Sequence, residues 1–343
     1  MNYIGSKHSI IDFIEESITD VVGDKKYTFC DIFAGTGVVG RRFKMIGYNV
    51  IANDNQFYSY VINKHYIENN SELKFEKLGG IDEIFIDLNK LDNYKGFIYH
   101  NYTEEGTKDK EFIRNYFTVK NAIKIDSIRN QIEKWFKSEL VTNNEYYYLL
   151  SCLLEAADKV ANTASVYEAF LKKIKRKAQE DLELKQLPIL INKDTNNIVY
   201  KEDCLDLIKK IKGDILYMDP PYNTRKYNTN YHLLETIAYG DMPEIKGKAG
   251  CRCDGKKSQF NSKRNALNAL EEIIKCANFK YIFLSYNDEG IMSLEDIKQV
   301  MEKYGEYRRY EKNHKRYKAN KDKETGKKTT IEYLHVLIKE GEC

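Results

Sequence analysis

The feature that most constrains the fold is a glycine-rich loop between a short apolar run and a helical pattern near the N-terminus. The loop GTGVVG contains Gly35, Gly37 and Gly40, and a second strand at 48–52 precedes Asp54. A strand, a helix and a second strand in this order form a βαβ unit with parallel strands. Such sheets bind their ligands at the carboxyl ends of the strands. The sequence therefore predicts an α/β fold with a doubly wound, mostly parallel sheet and a ligand crevice at this loop.

The middle of the chain has a different character. Residues 75–187 lack an alternating strand–helix rhythm, are rich in Asn, Lys, Glu and Tyr, and predict helices at 125–139, 145–160 and 164–184. After Pro188 the α/β pattern resumes and continues to the C-terminus. A chain of 343 residues corresponds to roughly two domains at about 150 residues each. We therefore predict one α/β domain, formed by 1–74 and 188–343, that is interrupted by a mainly helical insertion at 75–187.

Composition excludes several classes of protein. No apolar run approaches the ~18 residues of a membrane span, and the N-terminus lacks the apolar core of a signal peptide. The seven cysteines are irregularly spaced, as expected of a reduced, cytoplasmic chain. Cys251 and Cys253 are separated by a single residue and have no second pair nearby, so we expect no metal site. The 55 basic and 52 acidic residues leave a net charge of +3, so net charge alone does not imply a nucleic-acid partner.

The glycine loop by itself admits two kinds of ligand. Glycines at this turn allow close backbone approach, and Asp54 can accept hydrogen bonds from both ribose hydroxyls of an adenosine group. A nicotinamide dinucleotide and an adenosyl ligand fit this pattern about equally well. The residues just before the loop, Asp31 and Phe33 in DIFAGTG, favour one of these two ligands. An acidic residue there would repel a pyrophosphate but attract an ammonium group, which favours S-adenosylmethionine as the cofactor.

The tetrapeptide DPPY, residues 219–222, follows the apolar strand DILYM. An exocyclic amino group on a base is a poor nucleophile, because its lone pair is delocalised into the ring. The carboxylate of Asp219 and the carbonyl of Pro220 can accept both N–H groups and localise that lone pair. The two prolines stiffen the turn, and Tyr222 can stack on a base flipped out of a duplex. We therefore predict that Asp219, Pro220 and Tyr222 are catalytic.

The order YIGSK, DIFAGTG, Asp54, insertion and DPPY resembles that of the Dam-like, alpha-group N6-adenine DNA methyltransferases, including those of restriction–modification systems. The resemblance implies a class I S-adenosylmethionine-dependent methyltransferase fold whose insertion recognises the target sequence. Together with the loop residues Asp31, Phe33, Gly35 and Gly37, it predicts that a cofactor site is formed with Tyr3, Lys7, Asp54, Asp203 and Asp219. In that family Tyr3 and Lys7 border the cofactor, Asp54 binds its ribose, Asp203 lies near its adenine, and Asp219 also contacts the target amine. The chain departs from the family pattern at Ser6, where a second glycine is usual.

Double-stranded DNA is the expected partner, and three segments are candidates to contact it. Arg225, Lys226 and Tyr227 follow the tetrapeptide in a polar loop suited to a phosphate and an extruded base. LKKIKRK, at 171–177, is predicted to lie on a helix. The segment 312–328, which contains Lys315 and Arg316, is predicted to form a loop or hairpin. Basic side chains in such segments suit phosphate contacts, which supply affinity and little sequence information.

Several alternatives remain open from the residues alone. The same chemistry could act on N4 of cytosine, on adenine in RNA or on a glutamine side chain. A nicotinamide-dependent oxidoreductase would account for GTGVVG and Asp54 but leaves DPPY and the basic segments unexplained. A non-catalytic DNA-binding protein could retain the fold. The resemblance favours a DNA adenine-N6 methyltransferase that acts on a flipped adenine in a short duplex sequence, with a cognate restriction endonuclease as a functional partner.

Overall fold

The structure, a computed structural model, describes residues 5–223, 227–255, 258–315 and 329–339. These residues form two compact units. The sheet unit comprises 5–70, 192–223, 258–315 and 329–339, and the helical unit comprises 71–191 and 227–255.

The described residues form nine strands. They are β1 Thr28–Asp31, β2 Asn49–Asn53, β3 Ile198–Tyr200, β4 Ile215–Met218, β5 Ile245–Lys246, β6 Cys251–Arg252, β7 Tyr281–Asn287, β8 Gly305–Lys315 and β9 Thr329–Lys339. All of them except β5 and β6 belong to one sheet with the order β3-β2-β1-β4-β7-β9-β8. Strands β3, β2, β1, β4 and β7 are parallel, whereas β9 and β8 are antiparallel to their neighbours. The predicted α/β fold with a mostly parallel sheet is confirmed.

The strand order places the ends of β1 and β4 at the point where the chain changes direction across the sheet. From β1 the chain moves outward to β2 and β3 on one side, and it then returns to β4 and β7 on the other side. Carboxyl ends of parallel strands meet at one edge, and ligands of open α/β sheets bind at such a switch point. Asp31, the last residue of β1, is paired in register with Tyr217 of β4, two residues before Asp219.

The described helices are α1 Ile11–Val22, α2 Val38–Met45, α3 Phe57–Asn63, α4 Ile81–Lys90, α5 Phe97–Tyr102, α6 Glu104–Thr107, α7 Val119–Lys137, α8 Asn143–Val160, α9 Arg176–Gln179, α10 Cys204–Leu207, α11 Tyr227–Asn230, α12 His232–Tyr239, α13 Ala266–Cys276 and α14 Leu294–Glu302. A 3₁₀ turn at Lys7–Ile10 leads into α1, and a π-helical turn at Lys64–Glu68 follows α3. Of these, α4 to α9, α11 and α12 lie in the helical unit. Helices predicted at 125–139 and 145–160 correspond to α7 and α8, and α8 begins at a capping box formed by Thr142 and Glu145.

Both faces of the sheet are covered, as in a doubly wound fold. Alternate residues of each strand point to opposite faces. Cys30, Leu216 and Ile282 pack with α13 and α14 in one buried cluster. Phe29, Tyr217, Phe283 and Val336 pack with α1 and α2 in the other buried cluster.

The helix predicted at 164–184 is wrong, and so is the helical placement of the basic stretch 171–177. Only α9 is helical there. The backbone is instead bonded to Asn162, whose side chain donates to the Leu171 carbonyl at 2.9 Å and accepts from the Lys175 N–H at 3.0 Å. The carbonyl of Tyr167 accepts from the Tyr116 hydroxyl at 2.6 Å. These longer-range bonds replace the hydrogen bonds that a helix would have formed.

The predicted insertion, 75–187, lies inside the helical unit, but that unit also contains residues 227–255 from after DPPY. The reason is local packing. The Arg129 guanidinium donates to the carbonyls of Ile237, Ala238 and Tyr239 at the end of α12, at 2.8–3.1 Å. These bonds satisfy carbonyls that a helix end leaves without partners. Recognition of the target sequence by this unit stays a prediction.

Candidate active site

The glycine loop connects β1 to α2 in a conformation that other residues adopt only with strain. Gly35 and Gly37 have φ values of 51° and 75°. A Cβ atom on Gly37 would lie 2.2 Å from Asn63 Oδ1, far inside contact distance. Asn63 in turn donates from Nδ2 to the Gly35 carbonyl at 2.9 Å. Asn63 therefore fixes the loop on one side. Because the glycines have no side chains, the loop backbone is open to close contact with a ligand.

Asp54 follows β2 and fixes the same loop from the side. Its two oxygens accept the backbone N–H groups of Gly35 and Gln56, each at 2.9 Å. Burial raises the pKa of Asp54 to about 6, although the backbone N–H bonds oppose that rise. Carboxylate oxygens have lone pairs to spare after one hydrogen bond each, so Asp54 can still accept from a ligand hydroxyl.

Asp31 is a buried carboxylate at the end of β1, with 1% of its surface exposed. Its Oδ1 atom has no hydrogen-bond partner among the residues that the structure describes. Burial and the nearby charges of Asp219 and Asp54 raise its pKa well above the usual value. Backbone hydrogen bonds from Gly40 and Phe33 oppose that rise, but no basic side chain pairs with Asp31 in the described residues. A buried carboxylate without a cation nearby is unfavourable and is stabilised when a cation binds. Asp31 therefore has the properties expected of a residue that binds a positively charged ligand group.

Two other predicted cofactor residues have clear structural contacts. Phe33 packs its ring edge-on against Phe260, with the ring centroids 5.2 Å apart. Asp203 is exposed, and its Oδ1 accepts from the Leu205 N–H at 2.9 Å as the N-cap of α10. Asp203 therefore stabilises the first turn of α10, and its contact with a cofactor stays a prediction.

Asp219 follows β4 and belongs to a compact polar cluster with Lys7, Tyr222, Ser285 and Glu332. Its Oδ1 atom lies 3.0 Å from Lys7 Nζ and accepts from the Tyr222 hydroxyl at 2.6 Å. Its Oδ2 atom receives no hydrogen bond from the described residues. Burial raises the pKa of Asp219, the Lys7 charge opposes that rise, and the Glu332 charge adds to it. One Asp219 oxygen is thus anchored and the other is available to a substrate.

The Pro220 carbonyl is the second acceptor that the sequence predicted. Pro220 is buried, and none of the described hydrogen bonds ends on its carbonyl oxygen. The Pro220 carbonyl and Asp219 Oδ2 are therefore two acceptors, in consecutive residues, that receive no described hydrogen bond. That they act together on a target amine stays a prediction.

The Tyr222 hydroxyl makes contacts that the sequence did not predict. Its hydroxyl contacts Lys7 Nζ and lies 2.7 Å from Glu332 Oε1, in addition to its bond to Asp219. Its ring packs edge-on against Tyr286, with the centroids 4.9 Å apart. Tyr222 therefore links Asp219 to a buried polar cluster, and stacking on an extruded base stays a prediction.

Glu332 and Ser285 belong to this cluster and were missed by the sequence analysis. Ser285 lies on β7 and donates to Glu332 Oε1 at 2.7 Å. The signal for Glu332 was present in the segment IEYLHVLIK, where an acidic residue alternates with Leu334 and Val336 on a strand face that is otherwise apolar. No comparable signal marks Ser285.

Several predicted residues lie outside the described ranges: Tyr3, Arg225, Lys226 and Arg316. Tyr227 begins α11 and Lys315 ends β8, and the structure describes only their backbone. Within the described ranges, no cluster of three or more His, Cys, Asp and Glu side chains could hold a metal ion. In the same ranges, no helix has both the length and the apolar character needed to cross a bilayer.

The switch point of the sheet at β1 and β4, the glycine loop and the acceptors after β4 are together typical of an α/β methyltransferase that acts on an amino group. The chain belongs to the D12 class N6 adenine-specific DNA methyltransferase family, whose model matches residues 3–305. This membership confirms the resemblance and selects adenine in DNA among the alternatives left open above.

The family assignment agrees with individual relatives. The chain is 44% identical to the type II methyltransferase M.NlaIII of Neisseria lactamica over 345 residues, covering 99% of each chain. It is 39% identical to the type II methyltransferase M.FokI of Planomicrobium okeanokoites, covering 99% of this chain and 53% of that protein. It is 35% identical to the type II methyltransferase M.CviAII of Paramecium bursaria Chlorella virus 1, covering 93% of each. The chain thus spans nearly all of M.NlaIII and about half of M.FokI.

Proposed function

We propose that the protein transfers a methyl group from S-adenosylmethionine to N6 of adenine at one short sequence of duplex DNA. It would do so in the cytoplasm as the modification enzyme of a type II restriction–modification system. The observation that carries the chemistry is the pair of free acceptors, Asp219 Oδ2 and the Pro220 carbonyl. The two N–H groups of an exocyclic amine need two such acceptors. The type II names of the relatives support the biological setting.

The residues of the sheet unit fit S-adenosylmethionine. The unpaired, buried Asp31 would hold the ammonium group, and the backbone at Gly35 and Gly37 would lie against the ligand. Asp54 would accept from the ribose hydroxyls, while Phe33 would border the site. When bound, this cofactor supplies an electrophilic methyl group on a sulfonium. It carries no phosphate, so the acidic Asp31 would not repel it.

Asp219 and Pro220 act on the target amine. By accepting both N–H groups, they draw the nitrogen toward tetrahedral geometry and localise its lone pair. The nitrogen would then accept the methyl group that the cofactor supplies, and one of the two protons held by the acceptors would pass through Asp219 Oδ2 to water. Lys7 and Tyr222 hold Asp219 Oδ1 in place, so the acceptors need not be ordered during the reaction.

The helical unit would read the DNA sequence. Its segment 171–177 exposes Lys172, Lys173, Arg176 and Lys177, and none of them forms an ion pair with the other described residues. Exposed, unpaired cations suit phosphate contacts, which set register and orientation on the duplex. Sequence discrimination would come from other side chains of the unit that reach base edges in the major groove.

The direct test is transfer of labelled methyl from S-adenosylmethionine to unmethylated duplex DNA, with tRNA and protein as parallel substrates. Nucleoside analysis should find N6-methyladenine in DNA, and Asp219→Ala should abolish it. Label in tRNA, protein or N4-methylcytosine would overturn the substrate. Sequencing of the modified DNA should then find one short motif fully methylated, and methylation scattered over unrelated sequences would contradict the modification role.

A cognate endonuclease can be tested separately. DNA carrying the mapped motif should resist cleavage by its partner endonuclease only after methylation by this protein. Cleavage of the fully methylated motif by every endonuclease encoded beside it would contradict the pairing.

A further inference from the structure

Glu332 is a charged residue on a strand face that otherwise forms the core. It lies on β9, opposite Asn287 of β7 in the antiparallel register. On the same face, Leu334 and Val336 pack into the buried cluster that α1 and α2 cover. The Glu332 side chain is 5% exposed. A carboxylate at such a position is destabilising unless charged or polar groups compensate for its lost hydration.

One oxygen of Glu332 makes all of its described contacts. Oε1 lies 2.9 Å from Lys7 Nζ and 2.7 Å from each of the Tyr222 and Ser285 hydroxyls. These three partners come from the turn before α1, the turn after β4, and β7. The buried carboxylate is therefore the meeting point of three segments that are distant in sequence.

Two of the Glu332 partners are also the partners of Asp219. Lys7 Nζ lies 3.0 Å from Asp219 Oδ1, and the Tyr222 hydroxyl donates to the same oxygen at 2.6 Å. An ammonium group with a single carboxylate nearby would be free to approach either oxygen of that carboxylate. A second carboxylate that also contacts the ammonium group, as Glu332 does, restricts it to positions that satisfy both. In this cluster the restricted position is beside Oδ1, which leaves Oδ2 open.

We propose that Glu332 is a positioning residue for methyl transfer. It holds the Lys7 ammonium and the Tyr222 hydroxyl so that both contact only Oδ1 of Asp219, which leaves Oδ2 free for the target amine. This inference rests on the proposed function, because it concerns the site in which Asp219 would accept the target amine. Glu332 lies beyond residues 3–305, where the family model matches, so family membership alone does not assign it a role.

The charges of the cluster give Glu332 a second effect, on the proton affinity of Asp219. The titratable or charged groups whose fields act at Asp219 and its partners are Lys7, Asp31, Tyr217, Tyr222 and Glu332. Burial favours the neutral form of Glu332, but Lys7 and the two hydroxyls lower its pKa below the usual value. Glu332 therefore stays ionised beside Lys7, and its negative charge makes Asp219 harder to ionise.

Two substitutions of Glu332 distinguish its effect on the positions of Lys7 and Tyr222 from the effect of its charge on the pKa of Asp219. Glu332→Ala removes both the acceptor and the charge, whereas Glu332→Gln removes the charge, keeps one acceptor oxygen and replaces the other oxygen by an N–H₂ group. Glu311→Gln is the matched control, since Glu311 lies on the neighbouring strand β8 and its side chain is 63% exposed. Steady-state kcat and KM for duplex DNA and S-adenosylmethionine, pH profiles and thermal melting would be measured for each full-length protein.

The expected results differ between the variants. Glu332→Ala should lower kcat by about 100-fold while changing either KM by less than about threefold, because the ordering of Asp219 is needed in the transition state. Glu332→Gln should lose less, and the acid limb of its kcat profile should move to lower pH, because Asp219 ionises more easily without the neighbouring charge. Glu311→Gln should match the wild type.

Three outcomes would overturn the proposal. These are an unchanged kcat in a folded Glu332→Ala, a loss confined to KM, and an acid limb of Glu332→Gln that stays in place or moves to higher pH. If Glu332→Ala does not fold, Glu332→Gln alone decides by its kcat and its pH profile. A wild-type protein that transfers no methyl to DNA adenine would overturn the proposed function and this role together. Active wild type with unaffected variants would overturn this role alone.

Discussion

Lys7 Nζ and Asp219 Oδ1 form an ion pair at 3.0 Å in which the two side chains are only 6% and 18% exposed. The ammonium group also contacts Glu332, so one cation lies between two carboxylates. Because this pair is largely withdrawn from water, the charge of Lys7 acts strongly on Asp219. The pair thus sets both the position and the ionisation of the residue that would accept the target amine.

Replacing Asp219 should affect methyl transfer far more than cofactor binding. In Asp219→Asn the side chain keeps its size but presents an N–H₂ group where an acceptor is needed. We expect kcat to fall by about 100-fold or more, as for the loss of other preorganised polar groups. Cofactor affinity, measured by calorimetry, should fall far less than kcat, because Asp219 is only one of several residues predicted to contact the cofactor. Asp206→Asn, at an exposed position in α10, is the control, and a comparable kcat in the two variants would contradict the role of Asp219.

Removing the Lys7 charge should shift the pH dependence upward. The Lys7 charge lowers the pKa of Asp219, against the effects of burial and Glu332. In Lys7→Met that opposition is lost and the Asp219 pKa rises further. Asp219 must be ionised to accept from the amine, so activity will be lost at a higher pH than in the wild type. The kcat profile of Lys7→Met, compared with exposed Lys25→Met, should show the acid limb displaced to higher pH, and a displacement to lower pH would refute this account.

The sequence was most informative where function depends on consecutive residues. GTGVVG and DPPY correctly predicted loops at the carboxyl ends of two neighbouring strands, because each motif is one loop at the end of one strand, whereas the ligand contacts of these loops stay predictions. The local chain determines such loops. The structure adds the bonds behind them, such as that from Asn63 to the Gly35 carbonyl.

The remainder of the site depends on pairing between distant segments. Glu332 reaches Tyr222 and Lys7 because β9 pairs antiparallel to β7 in a register that sets Asn287 opposite Glu332. A single sequence does not specify that register. The wrong helix at 164–184 has the same cause, since its apolar spacing was helical but bonds to Asn162 and Tyr116 decided the backbone. At 164–184 tertiary contacts overrode the local periodicity, whereas at Glu332 the sequence lacked only the register that determines its partners.

Neutralising Asp31 should weaken binding of ligands that carry the methionine ammonium group. Asp31→Asn keeps the size of the side chain but loses its charge. We expect S-adenosylmethionine affinity to fall by about 10- to 100-fold, equivalent to one charge-assisted hydrogen bond. 5′-Methylthioadenosine, which lacks the amino acid portion, should bind both proteins alike in calorimetry. Equal losses for the two ligands would mean that Asp31 supports the site without contacting the ammonium group.

The same carboxylate predicts a pH effect on cofactor binding in the wild type. The pKa of Asp31 is raised by burial and by Asp219 and Asp54, so part of its population is protonated before the bulk carboxylates are. Pairing with an ammonium group requires the ionised form, and affinity should therefore decrease as the pH falls. Asp31→Asn should have a flatter profile. An affinity that rises on acidification would contradict this assignment.

A methyl group on Gly37 should disrupt the loop. In Gly37→Ala the Cβ would lie 2.2 Å from Asn63 Oδ1, and the left-handed φ of 75° is itself unfavourable for alanine by about 1–2 kcal/mol. Asn63 would have to move and would release the Gly35 carbonyl. We expect at least about a tenfold loss of S-adenosylmethionine affinity and a lower Tm. Gly47→Ala also has a positive φ, 97°, but its nearest neighbour is the Lys26 side chain at 3.7 Å, so it should lose stability and retain affinity.

Salt dependence can decide whether the exposed lysines at 171–177 contact DNA phosphates. Each neutralised phosphate contributes about 0.9 to the slope of log K against log salt concentration. Lys172→Gln combined with Lys173→Gln should therefore reduce that slope by about 1 to 2, measured by fluorescence anisotropy on duplex DNA.

The matched control replaces Lys134 and Lys137, which are exposed on α7 of the same unit. Phosphate contacts carry little sequence information, so the methylated motif should stay the same while affinity falls for every duplex. An unchanged slope would place the phosphate contacts elsewhere on the protein, and a changed motif would mean that these lysines read bases.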